Sequence, residues 1–133
     1  MKKILLLLTI FITSTYANNI SWYASYDKAL EKAHKEQKNL MIFIASNKDK
    51  NSNKILSEYF LNQEYIDYIN KNFISVLVTV EYKTSYPIEL YYTTQFPSLF
   101  FASYKDESFL THPIYEFKSK EDFKKVLFSI DYK

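Results

Sequence analysis

Apolar residues follow two different periods along the chain, one typical of helices and one typical of buried strands. The spacing of the apolar positions predicts an amphipathic helix over residues 25–37, where Ser25 is a suitable N-cap and Asp27 suits the positive end of the helix. Two continuous apolar runs, at residues 40–45 and 73–80, predict strands that are buried on both faces, as the strands of a parallel sheet are.

The segment between these two strands predicts a helix that is interrupted once. A helical stripe of apolar residues over 55–60 is followed by residues 62–64, which indicate a break and a new N-cap. A second helical piece follows, and we expect Asn70 or Asn72 to end it in a left-handed conformation, where glycine would be usual. Because the chain contains no glycine, positions with a positive φ are expected to use Asn or Asp, which tolerate that conformation best.

The last third of the chain predicts a short helix followed by a hairpin. The helix is expected over residues 86–96, and the two strands over residues 98–103 and 108–117. Since only a turn-forming stretch separates these strands, they are expected to pair antiparallel. Pro113 interrupts the second strand, which indicates an edge strand or a bulge.

The order of the predicted elements indicates an α/β domain. A final helix is expected over residues 119–131, where Ser119 and Asp122 resemble a capping box. The complete order is β-α-β-α-β-β-α, with one additional helix on the N-terminal side. One parallel crossover followed by an antiparallel hairpin gives a central four-stranded mixed sheet.

The N-terminal end of the chain is typical of a secretory signal peptide, which we place at residues 1–17. Lys2 and Lys3 precede nine mainly apolar residues, and small residues then suit a cleavage site. The apolar stretch is shorter than the roughly 20 residues that span a bilayer. We therefore expect one exported domain over residues 18–133, without a membrane span after cleavage. It would be periplasmic in a Gram-negative bacterium and secreted otherwise.

Charge and composition exclude several classes of function. Removal of the leader takes away two lysines and lowers the formal net charge from +2 to zero, so no nucleic-acid partner is expected. The absence of cysteine excludes a disulfide framework, a thiolate metal site and a cysteine nucleophile. The histidines, His34 and His112, are far apart in the sequence and give no metal-ligand spacing, so we expect neither a metal nor a cofactor.

Three segments resemble exported proteins of the thioredoxin family. The first contains Ser21 and Trp22 with the Ala- and Lys-rich helix after them. The second, residues 59–76, is similar to the family's long helix and central strand. The third, residues 96–101, resembles the proline loop, in which the family has a cis-proline at the start of the third strand. The resemblance covers nearly all of residues 20–133 and implies a thioredoxin-like fold.

The chain departs from the family at the redox motif. The resemblance places the family's Cys-x-x-Cys, to within one residue, at Asp49, Lys50, Asn51 and Ser52, and neither cysteine is present. The Ser52 hydroxyl has too high a pKa to replace a thiolate and forms no mixed disulfide. We therefore expect that this chain has no oxidoreductase activity and is not an enzyme. The helix N-terminus that remains could hold an anion, or these side chains could simply cap it.

The proline loop at Phe96 and Pro97 is the second candidate binding site. In the family, backbone beside the cis-proline pairs with an extended substrate peptide, a form of strand addition; alternatively, Pro97 is a trans residue that only begins a strand. We predict a redox-inactive binding or scaffold module for a protein or peptide partner. Two alternatives stay open: an auxiliary component of periplasmic thiol–disulfide exchange that works with a cysteine-bearing partner, and an envelope assembly factor or holdase.

Overall fold

A computed structural model describes residues 19–130, which form a sheet covered by helices on both faces. The leader predicted at residues 1–17 lies outside the described residues, as does the end of the last predicted helix. In chain order the elements are β1 (Trp22–Tyr23), α1 (Tyr26–Glu36), β2 (Asn39–Ala45), α2 (Lys50–Tyr59), α3 (Gln63–Asn72), β3 (Phe73–Thr79), β4 (Ser98–Ala102) and α4 (Lys120–Ser129). Within residues 19–130, no helix combines the length and the apolar character that crossing a bilayer requires.

The four strands form one mixed sheet in the order β1-β3-β2-β4. β2 and β3 are parallel along their whole length, with Ala45 opposite Thr79 at their carboxyl ends. β4 is antiparallel to β2, with Ser98 opposite Ile44. The carboxyl ends of β2 and β3 and the amino end of β4 therefore lie at the same edge of the sheet, which we call the upper edge.

The sheet carries a hydrophobic cluster on each face, which confirms that β2 is buried on both faces. Leu40, Ile42 and Ile44 pack in the cluster that α1 covers. Met41 and Phe43 pack in the opposite cluster, which α2, α3 and α4 cover. All five side chains are fully buried. A strand whose side chains are apolar on both faces is stable here because helices exclude water from both faces of the sheet.

Polar side chains cap the four helices at their N-termini. The caps are Ser25, Asp49, Asn62 and Ser119, and each side chain accepts a hydrogen bond from a backbone N–H two or three residues further along. Each cap satisfies one of the N–H groups that a helix start leaves without an internal partner. These caps confirm the predicted starts of the first and last helices and the predicted break at residues 62–64.

The prediction that Asn70 or Asn72 ends α3 in a left-handed conformation is wrong. Both residues lie within α3, and Phe73 follows directly in an extended conformation as the first residue of β3. The Asn70 side chain instead hydrogen-bonds the backbone of the segment just before β1. Among the described residues, positive φ angles occur at Gln37 (55°) and Glu107 (62°), and so not at Asn or Asp.

The helix predicted over residues 86–96 is a series of turns instead. The N–H groups of Leu90 and Tyr91 both donate to the Pro87 carbonyl. No helix continues beyond these turns. At Thr93 the hydroxyl accepts the N–H of Gln95, and hydroxyl side chains that bond nearby backbone groups compete with helix formation. The apolar spacing that suggested a helix still has a role, since Tyr91 is fully buried on the α1 face.

The segment predicted as a strand over residues 108–117 pairs antiparallel with β4 as expected, but it does not form a continuous strand. Two isolated antiparallel bridges join this segment to Leu99 and Ala102 of β4. The bridges are five residue steps apart on this segment but three on β4, so the segment bulges where Pro113 interrupts it. The sheet is four-stranded and mixed as predicted. Its fourth strand, however, is β1, which pairs with β3 on the side of the sheet away from β4. The sequence pattern did not reveal this strand.

Candidate functional site

The first predicted site is the turn between β2 and α2, at the upper edge of the sheet. Asp49 is half-buried, and its carboxylate accepts the N–H of Asn51 at 2.8 Å. Lys50 and Asn51 are exposed, whereas Ser52 is buried. The Ser52 hydroxyl accepts the N–H of Ser46 at 3.4 Å. The four predicted residues therefore cap and begin α2, and Ser52 fastens its first turn to the end of β2.

The resemblance places the family's dithiol motif in this turn, where positions 49 and 52 differ in exposure. Position 49 is the N-cap and position 52 is buried in the first helical turn, so two sulfur atoms placed there would give one accessible and one protected thiol. A thiolate at a helix N-terminus has a lowered pKa and is nucleophilic. The Asp49 carboxylate instead occupies the positive end of the helix. Of the two possibilities that the sequence leaves open, the arrangement favours capping over anion binding.

Glu81 belongs to the same turn, although sequence reasoning did not identify it. Its carboxylate accepts the Ser46 hydroxyl at 2.6 Å and the Asn47 N–H at 3.2 Å. The hydrogen bond from Ser46 and those from backbone N–H groups hold the pKa of Glu81 below its usual range. Glu81 therefore ties the β2–α2 turn to the end of β3. Its position just after a parallel strand was the available signal, since the carboxyl ends of such strands meet at one edge.

The second predicted site is the proline loop, which we define as residues 93–98. The Phe96–Pro97 peptide bond is cis, Pro97 is buried, and Phe96 is half-buried. Ser98 begins β4 opposite Ile44. The loop therefore lies at the upper edge, next to the strand from which the β2–α2 turn departs.

Two hydroxyl groups close the proline loop on itself. Thr93 Oγ1 accepts the Gln95 N–H at 3.1 Å and lies 2.8 Å from Ser98 Oγ, and the Ser98 hydroxyl donates to the Gln95 carbonyl. Both backbone groups of Gln95 are thus satisfied within the loop. In contrast, neither the N–H nor the C=O of Phe96 has a hydrogen-bond partner among residues 19–130.

A cleft of about 470 Å³ begins beside the proline loop. Its walls are the extended segment before α4 and the first turns of α4 itself, and most of its side chains are apolar or aromatic. Its charged members are few, and the exposed pair Lys118 and Glu116 lies 3.7 Å apart. The lining residues are Gln95, Pro113, Ile114, Tyr115, Glu116, Phe117, Lys118, Ser119, Asp122, Phe123 and Val126.

The two predicted sites share the upper edge but are not joined by hydrogen bonds or ion pairs in the described residues. In the part of the chain that the structure describes, no hydrogen bond or ion pair joins residues 49–52 to Phe96 or Pro97, and residues 49–52 do not line the cleft. Residues 19–130 contain no group of three or more His, Cys, Asp or Glu side chains that could hold a metal ion. The available chemistry is therefore backbone hydrogen bonding at Phe96 and apolar contact in the cleft.

Solved structures with the thioredoxin fold superpose on most of this chain. The solution structure of a thioredoxin from Thermus thermophilus is 16% identical and covers 86% of this chain and 89% of that chain, with a TM-score of 0.75. A DsbH oxidoreductase is 20% identical, covers 86% of each chain and has a TM-score of 0.70. A putative disulphide-isomerase from Bacteroides thetaiotaomicron is 19% identical and covers 88% of this chain and 98% of that chain, with a TM-score of 0.69. These likenesses confirm the thioredoxin-like α/β fold.

The family comparison agrees with the fold. No curated protein matches the chain. The family model Thioredox_DsbH, described as a protein of unknown function (DUF255), matches residues 7–94, which include the whole β2–α2 turn and the start of the proline loop. The chain contains no cysteine, so it cannot supply the thiolate that dithiol exchange requires. With more than half of its length matched, the chain belongs to the Thioredox_DsbH family.

Proposed function

We propose that this chain is an exported, redox-inactive thioredoxin-like domain that binds an extended segment of a partner protein along the proline loop. The observation that carries the proposal is the unpaired backbone of Phe96. One residue with a free N–H and a free C=O can exchange both hydrogen bonds with a residue of an added antiparallel strand. The neighbouring Gln95 cannot do this, because hydroxyl groups of the loop already occupy its backbone.

The cleft supports the same ligand class. A peptide paired with Phe96 presents alternate side chains to the same face, and the cleft that begins at Gln95 offers them a mainly apolar surface. Backbone hydrogen bonds would give affinity without sequence preference, and the cleft would select apolar or aromatic side chains. The partner is therefore a protein with an accessible extended segment rather than a charged small molecule.

The missing sulfur atoms shape the proposal as well. Solved structures that share this fold include a DsbH oxidoreductase and a putative disulphide-isomerase. At the position where the sequence resemblance places the redox motif, this chain has Asp49 and Ser52, and no cysteine occurs anywhere in the sequence. Binding without exchange is the part of such a function that this chain's residues can still perform. In an insulin-reduction assay we expect no activity above the background of the reductant alone.

A random peptide library displayed on phage tests the proposed binding. We expect the wild-type domain to select peptides with shared apolar positions, and the strongest peptide to slow amide exchange at Phe96. In the variant Val126→Lys, which places a charge in the cleft, the selected peptide should bind at least about tenfold more weakly, because its apolar side chains would have to desolvate that charge. Ser129→Lys is the matched control, since it adds the same charge to the exposed part of α4.

Two results would contradict the binding proposal. One is the absence of any enriched peptide, and the other is a selected peptide that binds Val126→Lys as tightly as Ser129→Lys. Enrichment of unrelated sequences that share no positional preference would instead favour the holdase alternative. Export has its own test: expression of the full chain in a bacterium with a periplasm should yield a periplasmic product that begins at Asn18, and an uncleaved or cytoplasmic product would refute export.

A further inference from the structure

Three segments on the α1 face are joined by a network of buried hydroxyl groups. The Tyr26 hydroxyl donates to the Glu107 carboxylate at 2.7 Å and lies 2.5 Å from the Tyr91 hydroxyl. Because Tyr26 has a single hydroxyl proton and Glu107 receives it, the Tyr91 hydroxyl is the donor to Tyr26. The network therefore runs from Tyr91, in the turns before the proline loop, through the first residue of α1 to the turn after β4.

The Tyr26 and Tyr91 hydroxyls stay protonated over the whole physiological pH range. Burial is the main cause that raises the pKa of Tyr91 to about 12. Burial also raises the pKa of Tyr26, and the hydrogen bonds to Tyr91 and Glu107 add to the effect. Since neither tyrosine hydroxyl ionises under these conditions, both keep the protons that they donate within the network.

Tyr91 is one of two fixed points between which the proline loop is held. The other is Ser98, whose position follows from its pairing with Ile44 in the sheet. The Tyr91 ring contacts the rings of Tyr26 and Phe100, with centroids 5.3 Å apart in both cases. The loop residues with unpaired backbone lie between the two points, so any movement of Tyr91 would be passed to them.

Glu107 provides an independent indication that the network matters to the fold. Its φ of 62° is in the left-handed region, which is costly for residues other than Gly, Asn and Asp. An Asn would fit this backbone more easily, but its side chain is one methylene shorter than that of Glu. At this position the chain therefore combines an unfavourable backbone conformation with the carboxylate that receives the Tyr26 hydroxyl.

From these contacts we propose that Tyr91, held by Tyr26 and Glu107, is a positioning residue for the peptide-binding backbone of Phe96. This inference rests on the proposed function, because it identifies what keeps the donor and acceptor of Phe96 oriented toward a ligand. Tyr91 would not touch the peptide. It would act by limiting how far the loop can move away from the upper edge, so that less conformational freedom is lost when a ligand binds.

The variant Tyr91→Phe tests this role, because it removes the hydroxyl and keeps the ring. We expect faster amide exchange at Tyr91 and Gln95, whose N–H groups are hydrogen-bonded in the ligand-free domain, unchanged exchange in the middle of β3, and about three- to tenfold weaker binding of the library-selected peptide. Tyr86→Phe is the matched control, since the buried Tyr86 hydroxyl has no hydrogen-bond partner in the described structure. Glu107→Ala should reproduce the effect, and Glu107→Gln, which keeps an acceptor, should largely restore wild-type behaviour.

The outcomes separate this inference from the function on which it rests. Exchange at Gln95 that is no faster in Tyr91→Phe than in Tyr86→Phe would overturn the positioning role, even if peptide binding is real. Equal weakening by Glu107→Gln and Glu107→Ala would overturn it too. If the wild-type domain selects no peptide while Tyr91→Phe still speeds exchange at Gln95, the proposed function fails and the anchoring of the loop stands.

Discussion

Restoring two cysteines at the start of α2 would test whether this chain is a redox scaffold that lacks only its sulfur atoms. The double variant Asp49→Cys/Ser52→Cys places one thiol at the half-buried N-cap and one at a buried position in the first turn. Cβ atoms three residues apart on a helix are about 5–6 Å apart, and a disulfide needs about 3.5–4.5 Å. A small adjustment at the N-cap is therefore enough to let the disulfide form.

The expected pKa follows from the position of the first thiol. A negative charge at a helix N-terminus is stabilised by about 0.3–1 kcal/mol, and one pKa unit corresponds to about 1.4 kcal/mol. The pKa of the introduced thiol at position 49 should therefore fall from about 8.5 to roughly 8. Loss of the Asp49 cap costs about 1 kcal/mol, which a domain with a typical stability of about 5–15 kcal/mol tolerates.

Insulin reduction and the ultraviolet absorbance of the thiolate measure the two effects. We expect insulin reduction by the double variant and none by the wild-type chain. The control pair, Lys50→Cys/Asn53→Cys, has the same spacing, but both positions are exposed. If this shifted pair reduces insulin as fast as the pair at positions 49 and 52, or if the thiol at position 49 has a pKa above 8.5, the start of α2 is not organised as a redox site.

Three further predictions concern stability. Phe60→Ala should lower the free energy of unfolding, measured by denaturant titration, by about 3–5 kcal/mol, because the buried ring packs against three other aromatic rings. The control Leu61→Ala, at a residue that is 62% exposed, should change it by about 0.5 kcal/mol or less. Tyr91 should titrate near pH 12 in a spectrophotometric titration, so its contribution to stability is complete below about pH 10 and is lost as the pH rises toward 12. Ser119→Ala should cost about 1 kcal/mol and lower the melting temperature, because it removes the α4 cap; an unchanged melting temperature would show that this cap is dispensable.

The elements that the sequence predicted correctly are those whose signals are local. The apolar run of β2 and the caps Ser25 and Ser119 act over a few residues, and the structure has them where the pattern placed them. The helix predicted over residues 86–96 failed for a related reason. Its apolar spacing was real, but the Thr93 hydroxyl accepts a competing local hydrogen bond from the Gln95 N–H, and spacing alone does not reveal it.

The parts of the site that sequence reasoning missed depend on contacts between distant segments. Glu81 meets Ser46, which is 35 residues earlier, and Tyr26 meets Glu107, which is 81 residues later. Such pairs follow from strand order and register, which a single sequence leaves undetermined when a strand as short as β1 escapes detection. The position of Phe96 was predicted, but its unpaired backbone is visible only once the hydroxyl bonds around Gln95 are known.

The separation of the two halves of the upper edge explains how a binding function could survive the absence of redox chemistry. The residues that shape the β2–α2 turn, Ser52 and Glu81, hydrogen-bond to Ser46. The residues that shape the proline loop, Thr93 and Ser98, hydrogen-bond to each other and to Gln95. Because no hydrogen bond in the described structure links one set to the other, we expect a change at positions 49 and 52 to leave the hydrogen bonds within the proline loop intact. The proposed strand addition uses the backbone of Phe96 and needs no sulfur atom at positions 49 and 52.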